Sequence, residues 1–239
     1  MRLLVSVRSG EEVAAALAGG ADIIDAKEPA RGSLGAVTAA VLAAIAARTP
    51  SSVPLSVALG DCTGLAELWA ALEVARTGER SAPVYLKVGF AGVRSLVRIT
   101  ALLEAAIGSA RGARIVAVGY SDFGAAGSAP PEEVLRAAVA AGAGGLLVDT
   151  WLKDGRALLD HLSIERLTAL SLGARAAGLL FAVAGNLDPD AISRLAGIAD
   201  VLGVRGAACR GGRAGAVDEE RVARLRRCVD QWRVLTPAG

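Results

Sequence analysis

The run AAGAGGLLVD, residues 140–149, decides how the chain is read. An alanine-rich segment stops at glycine, and a short, unbroken apolar run follows that ends on a carboxylate. Glycine is where a helix commonly stops, because it accepts the left-handed backbone that closes the last turn. An apolar run without polar alternation suits a parallel strand covered on both faces. The same junction recurs as AGGADIIDAK at 18–27 and AAGLLFAVAG at 176–185.

Working outward from these junctions, eight strand candidates emerge at 3–7, 22–27, 54–59, 84–88, 114–120, 145–149, 179–185 and 201–205. Helix candidates alternate with them at 10–19, 36–47, 64–76, 94–107, 131–141, 163–177, 188–196 and 218–232. Ser9 ahead of Glu11-Glu12, Pro130-Pro131 ahead of Glu132-Glu133, and Asp188 ahead of Pro189 read as helix starts. Eight βα units in 239 residues are what a closed (β/α)₈ barrel of the α/β class needs. The rival is an open doubly wound sheet, which would usually carry GxGxxG after its first strand; none is present. No linker or compositional break divides the chain, so residues 1–239 are expected to form a single TIM-barrel domain.

The formal charge of +2 and the scattered arginines argue against a nucleic-acid-binding face, which needs concentrated basic charge. No stretch reaches the roughly 18 apolar residues of a membrane span, and MRLLVSVRSGEE does not read as a signal peptide. Cys62, Cys209 and Cys228 have no metal-ligand spacing and suit a reducing compartment, so a cytoplasmic location is expected. The single histidine, His161, reads as a surface or packing residue and argues against a Ser-His-Asp triad or a histidine metal site. No metal and no cofactor are expected. Trp69, Trp151 and Trp232 read as packing or interface residues, and a homo-oligomer is the expected assembly.

Among the 26 basic residues only Lys27, Lys87 and Lys153 are lysines; all the others are arginines. A lysine amine can lose its proton when desolvated or crowded by other cations, and can then attack a carbonyl; a guanidinium cannot. In a barrel, catalytic groups gather at the C-terminal strand ends. The second strand ends in Asp25-Ala26-Lys27, whose outer pair shares a face. The fourth carries Lys87, the sixth ends at Asp149 with Lys153 just beyond, and the eighth ends at Arg205. Taken singly, each Asp–Lys pair reads equally well as an ion pair bracing the mouth. All three lysines falling at one mouth point instead to imine chemistry on a carbonyl, with Asp25 and Asp149 moving protons.

Glycine-rich segments follow the last two strands: Gly185-Asn186, and Gly206-Ala207 leading to Cys209, Arg210 and two more glycines. Loops at these places commonly cradle phosphate with backbone N–H groups. Gly185, Asn186, Gly206 and Ala207 are therefore phosphate-binding candidates, and Arg205 and Arg210 could add charge. Ser33, in the glycine-rich stretch after the second strand, is a candidate for a second anion. Cys209 reads as a small packed thiol.

The residues alone lead to a lysine-imine enzyme acting on phosphorylated carbonyl compounds. Four segments go further: GGADIIDAKEPARGSLGA (19–36), YLKVGFAG (85–92), LLVDTWLKDGRALLDHL (146–162) and LGVRGAACRGG (202–212). They resemble the (5-formylfuran-3-yl)methyl phosphate synthase family, in register from Arg2 to about Arg227. The resemblance implies a lyase that condenses two glyceraldehyde 3-phosphate molecules, releasing phosphate and water, on the way to a methanofuran-type cofactor. It also implies that Lys27 is the Schiff-base lysine and Lys87 the acid/base lysine, with Asp25, Asp149 and Lys153 completing the set. The composition departs from the lysine-rich members of that family, leaving the downstream cofactor analogue open. The alternatives are another class I aldolase or isomerase on phosphorylated sugars, and a non-catalytic barrel that binds a phospho-metabolite.

Overall fold

The structure is a computed structural model describing residues 1–77 and 84–235. Eight parallel strands close on themselves: β1 (Arg2–Val7), β2 (Ile23–Ala26), β3 (Leu55–Asp61), β4 (Tyr85–Gly89), β5 (Arg114–Tyr120), β6 (Gly145–Asp149), β7 (Leu180–Val183) and β8 (Val201–Val204). Each pairs with its neighbour in sequence, and β8 returns to β1 with Val201 opposite Arg2. The expected barrel is therefore present. Its strands are short because each is a run of Val, Leu, Ile and Ala with both faces covered.

Helices α1 (Glu11–Ala18), α2 (Ala39–Arg48), α3 (Leu65–Ala75) and α4 (Leu96–Ser109) wrap the first half of the barrel. The single turn α5 (Phe123–Ala126) and α6 (Pro131–Ala141) follow, then the single turn α7 (Leu158–His161), α8 (Ile164–Ala176), α9 (Pro189–Arg194) and α10 (Glu219–Leu235). The start of α9 matches its sequence signal, since the Asp188 carboxylate accepts from the Ala191 N–H at 2.8 Å. Ser9 does not cap α1. Gly10 holds that position without a side-chain bond, and Glu12 reaches back to the Arg8 N–H at 2.8 Å. The second helix starts at Ala39 rather than 36, because Glu28 N–H bonds to the Gly35 carbonyl (2.8 Å) and keeps 28–35 folded as a loop. No described helix is long and apolar enough to cross a membrane.

Two cores follow from the strand period of two. In β1, Leu3, Val5 and Val7 face the helices, while Leu4 and Ser6 face the barrel axis. In β6, Leu146 and Val148 face out, and Leu147 and Asp149 face in. The inward residues include Ser6, Ser56, Ala182 and Gly203, which are too small to fill the layers that usually plug such a barrel. A cavity opens among them and reaches the C-terminal mouth. Trp69 stands 40% exposed on α3 near Leu65, and Trp151 is half-buried against the inner core; the Trp232 side chain lies outside the described set.

Candidate active site

Lys27, Lys87 and Lys153 all line the one cavity at the C-terminal mouth. Lys27 sits one residue past β2, fixed by its backbone N–H to the Val7 carbonyl at 3.0 Å. Lys87 projects inward from β4, and its Nζ is 2.7 Å from Asp25 Oδ1. Asp25 is fully buried two strands away on β2, and its other oxygen accepts from Ser6 Oγ at 2.7 Å. Ser6 and Asp25 face each other because β1 and β2 pair in that register.

A second pair stands at the end of β6. Lys153 Nζ donates to Asp149 Oδ1 (3.2 Å), to the Thr150 carbonyl (2.6 Å) and to Thr150 Oγ1 (2.9 Å). Three donors meet three acceptors, so the ammonium is fully engaged within the chain. Ser33 Oγ donates to the other Asp149 oxygen at 2.9 Å and to the Thr150 carbonyl at 2.8 Å. Ser33 is thus turned toward a carboxylate, away from the anion role expected of it.

Lys27 differs from the other two. Among the described residues no carboxylate lies within ion-pair distance of its Nζ, although the side chain is only 6% exposed. Burial lowers its pKa; Asp149 and Asp25 push the other way, Lys87 and Lys153 add to the lowering, and the balance is about 8. For Asp149, burial favours the neutral form, but Lys153, Lys27 and Ser33 outweigh it and hold the carboxyl at about 2. Asp25 is depressed in the same manner: burial opposes ionisation, and Lys87, Lys27 and Ser6 overcome it. The site therefore presents two ionised carboxylates, two lysines paired with them, and one unpaired amine that deprotonates near neutral pH.

The glycine loops border the same cavity through Gly185, Asn186, Gly206 and Ala207. Gly185 has φ +113°, and a Cβ there would meet Thr150 Cγ2 at 2.9 Å, so the close approach of this loop to β6 needs glycine. Asn186 Nδ2 donates to the Gly155 carbonyl at 2.7 Å, closing the loop sideways. Arg205 lines the cavity, but its guanidinium turns into the protein. It meets both Glu12 oxygens (2.5 and 3.0 Å) and donates to the carbonyls of Ser6, Arg213 and Gly215. Arg210 is exposed and paired with Asp218. The Cys209 thiol is buried, and that burial raises its pKa.

Asp61 and Asp122, which also follow strand ends, brace the mouth. Asp61 accepts from Tyr120 Oη at 2.6 Å and from the Ala91 N–H at 3.0 Å; Asp122 accepts from the N–H groups of Trp151 and Leu152. Sequence reasoning passed over four residues that the geometry brings in. Ser6 could have been noticed as the polar interruption of LLVSV, and Thr150 as the neighbour of Asp149. Ser56 is buried on β3 and lines the cavity with no hydrogen-bond partner among the described residues, an omission that costs about 1–3 kcal/mol unless something entering the cavity supplies one. Arg213 also reaches the cavity, from a glycine-rich excursion with no strand or helix signal.

The chain is similar to known proteins in sequence and in fold. A family profile described as 4-HFC-P synthase matches residues 3–226. A protein of Methanothermobacter thermautotrophicus named (5-formylfuran-3-yl)methyl phosphate synthase is 36% identical over 241 residues, covering 97% of this chain and 100% of its own. Its namesake in Archaeoglobus fulgidus is 35% identical over 238 residues, with 96% and 99% coverage. The one in Methanocaldococcus jannaschii is 36% identical over 239 residues, with 95% and 98% coverage. Among solved structures, phosphoribosyl anthranilate isomerase from Thermus thermophilus aligns with TM-score 0.64 at 15% identity, covering 97% of this chain and 99% of that one. Orotidine 5'-phosphate decarboxylase from Pyrococcus horikoshii aligns with TM-score 0.62 at 14% identity, covering 95% and 99%. At such identities the structural likenesses speak for the barrel fold alone.

Proposed function

The chain belongs to the 4-HFC-P synthase family and is an enzyme of that activity, and we propose that it works through an imine at Lys27. In this reading two molecules of glyceraldehyde 3-phosphate become (5-formylfuran-3-yl)methyl phosphate, with phosphate and water released, as a step toward a methanofuran-type cofactor. The observation that carries it is the contrast among the three lysines. Lys87 and Lys153 each have a carboxylate partner, whereas Lys27 is buried, unpaired, and held at a pKa of about 8.

The free amine of Lys27 attacks the carbonyl carbon of one triose phosphate, and water leaves as the imine forms. Asp25 and Asp149 stay ionised at neutral pH, so they serve as proton acceptors and offset the positive charge of the iminium. Removing a proton next to the iminium gives an enamine, which adds to the aldehyde of the second triose. Lys87, paired with Asp25, is placed to hand a proton to the departing phosphate. Lys153 acts on Asp149, holding the carboxylate with all three of its donors. Gly206 and Ala207, after β8, and Gly185 and Asn186, after the adjacent β7, offer backbone to the phosphate groups at the rim.

Reduction with borohydride in the presence of glyceraldehyde 3-phosphate should fix one triose mass on the peptide containing Lys27. Lys27→Ala should abolish the adduct; an adduct of unchanged yield in that variant would place the nucleophile elsewhere. Incubation with glyceraldehyde 3-phosphate alone should yield an aromatic aldehyde phosphate together with inorganic phosphate. A product without the furan ring would favour an aldolase or isomerase.

A further inference from the structure

Three arginines line the cavity, and two of them are neutralised within the chain: Arg156 pairs with Asp154, and Arg205 with Glu12. Arg213 is the third. Among the described residues no carboxylate pairs with it, and its side-chain hydrogen bonds all come from one nitrogen. That nitrogen, Nη2, donates to the backbone carbonyls of Pro29 (3.1 Å) and Gly32 (2.5 Å). Both acceptors are neutral, and Asp149 and Glu28 act on the charge only from beyond ion-pair distance, in a side chain that is partly buried beside the cavity. Among the described residues nothing accepts from its Nη1, whose two N–H groups remain for charge-assisted bonds to phosphate oxygens.

The arginine is also held in position. It belongs to the excursion between β8 and α10, where Arg205 grips the Arg213 carbonyl at 3.1 Å and the Gly215 carbonyl at 2.8 Å. Gly206 and Ala207, the first residues of that excursion, line the same cavity. The reaction brings two phosphorylated trioses together, yet Lys153 has no donor left for either phosphate, and Arg205 and Arg210 are paired. We propose that Arg213 binds the phosphate group of one substrate triose through Nη1. By its Nη2 grip on Pro29 and Gly32, it joins that phosphate to the loop that follows Lys27. The proposal rests on the reading of the cavity as the site of two phosphotrioses.

The test uses the full-length protein, inorganic phosphate as a binding probe, and two aldehydes that differ only in phosphate. Calorimetric titration should show phosphate binding to the wild type that weakens by at least about tenfold in Arg213→Gln, with partial recovery in Arg213→Lys, which restores the charge but not the Nη2 anchorage to Pro29 and Gly32. In borohydride trapping, Arg213→Gln should need at least about tenfold more glyceraldehyde 3-phosphate for half-maximal labelling, while its labelling by unphosphorylated glyceraldehyde stays at the wild-type level. Equal losses with both aldehydes would make Arg213 a structural brace and overturn the proposal. So would unchanged phosphate binding in Arg213→Gln. If neither aldehyde labels the wild type but phosphate binding still depends on Arg213, the imine at Lys27 fails and the phosphate site stands. If labelling occurs and is indifferent to Arg213, the reverse holds.

Discussion

Lys27 stands among two carboxylates and two other ammonium groups, and each neighbour moves its proton equilibrium in a defined direction. Lys153 and Lys87 lower its pKa, whereas Asp149 and Asp25 raise it. The rate of imine formation should therefore climb with pH and level off above about 8, falling about tenfold per pH unit well below that point. Lys153→Gln removes a repelling cation and should move this acid limb to higher pH. Asp149→Asn removes an attracting carboxylate and should move it lower. A pH profile of borohydride trapping reads both shifts, and movement in the same direction would refute the electrostatic account. Stability carries the matching signature. Lys27 has its pKa depressed from 10.5 to about 8, so the unfolded chain holds this proton more tightly and the group destabilises the fold below about pH 8. That penalty is relieved as pH rises from about 8 toward 10.5. Asp149 behaves oppositely: depressed from 3.8 to about 2, it stabilises the fold above 3.8, by about 2 kcal/mol, and loses that contribution as pH falls through 2.

The segment between β8 and α10 shows how one internal arginine shapes an element. Arg205 and Glu12 are both buried, and the guanidinium satisfies the carboxylate along with three carbonyls. Replacing Arg205 with Met would leave the buried Glu12 charge with only the more distant and more exposed Arg8 guanidinium at 3.7 Å, and should lower folding stability by about 3–5 kcal/mol in chemical denaturation. The double replacement with Glu12→Gln should recover part of that loss; no recovery would mean that the carbonyl contacts, rather than the ion pair, stabilise the segment. This arginine also marks where sequence legibility ended. Its position just past a strand suggested a phosphate contact, but its acceptors come from residues 6, 12, 213 and 215, which no local pattern connects. The strands themselves were readable because parallel strands buried on both faces leave unbroken apolar runs. Helix starts were less so: Glu28 bonding to Gly35 delays α2, and Gly10 takes the cap position expected of Ser9.

At the scale of the whole barrel, the three lysines reach one mouth because β2, β4 and β6 end on the same side, and parallel closure makes that unavoidable. Strand-end bookkeeping could therefore place Lys27, Lys87, Asp25 and Asp149 together. It could not assign partners, since Lys87 with Asp25 and Lys153 with Asp149 depend on inter-strand register and loop course. Nor could it tell that the barrel axis is lined by Ser6, Ser56, Ala182 and Gly203, whose small side chains leave room where other barrels are plugged. Hollowness has a mechanical consequence. Unfolding lets water occupy whatever part of the axis below the open mouth is dry in the folded chain, so the unfolded chain takes up less total volume, and compression favours it in proportion to the space lost. Hydrostatic pressure should accordingly unfold this protein more readily than a variant such as Ala182→Val, which fills part of the axis. If the two showed the same pressure midpoint after correction for their stabilities at ambient pressure, the void would have to be hydrated already in the folded state.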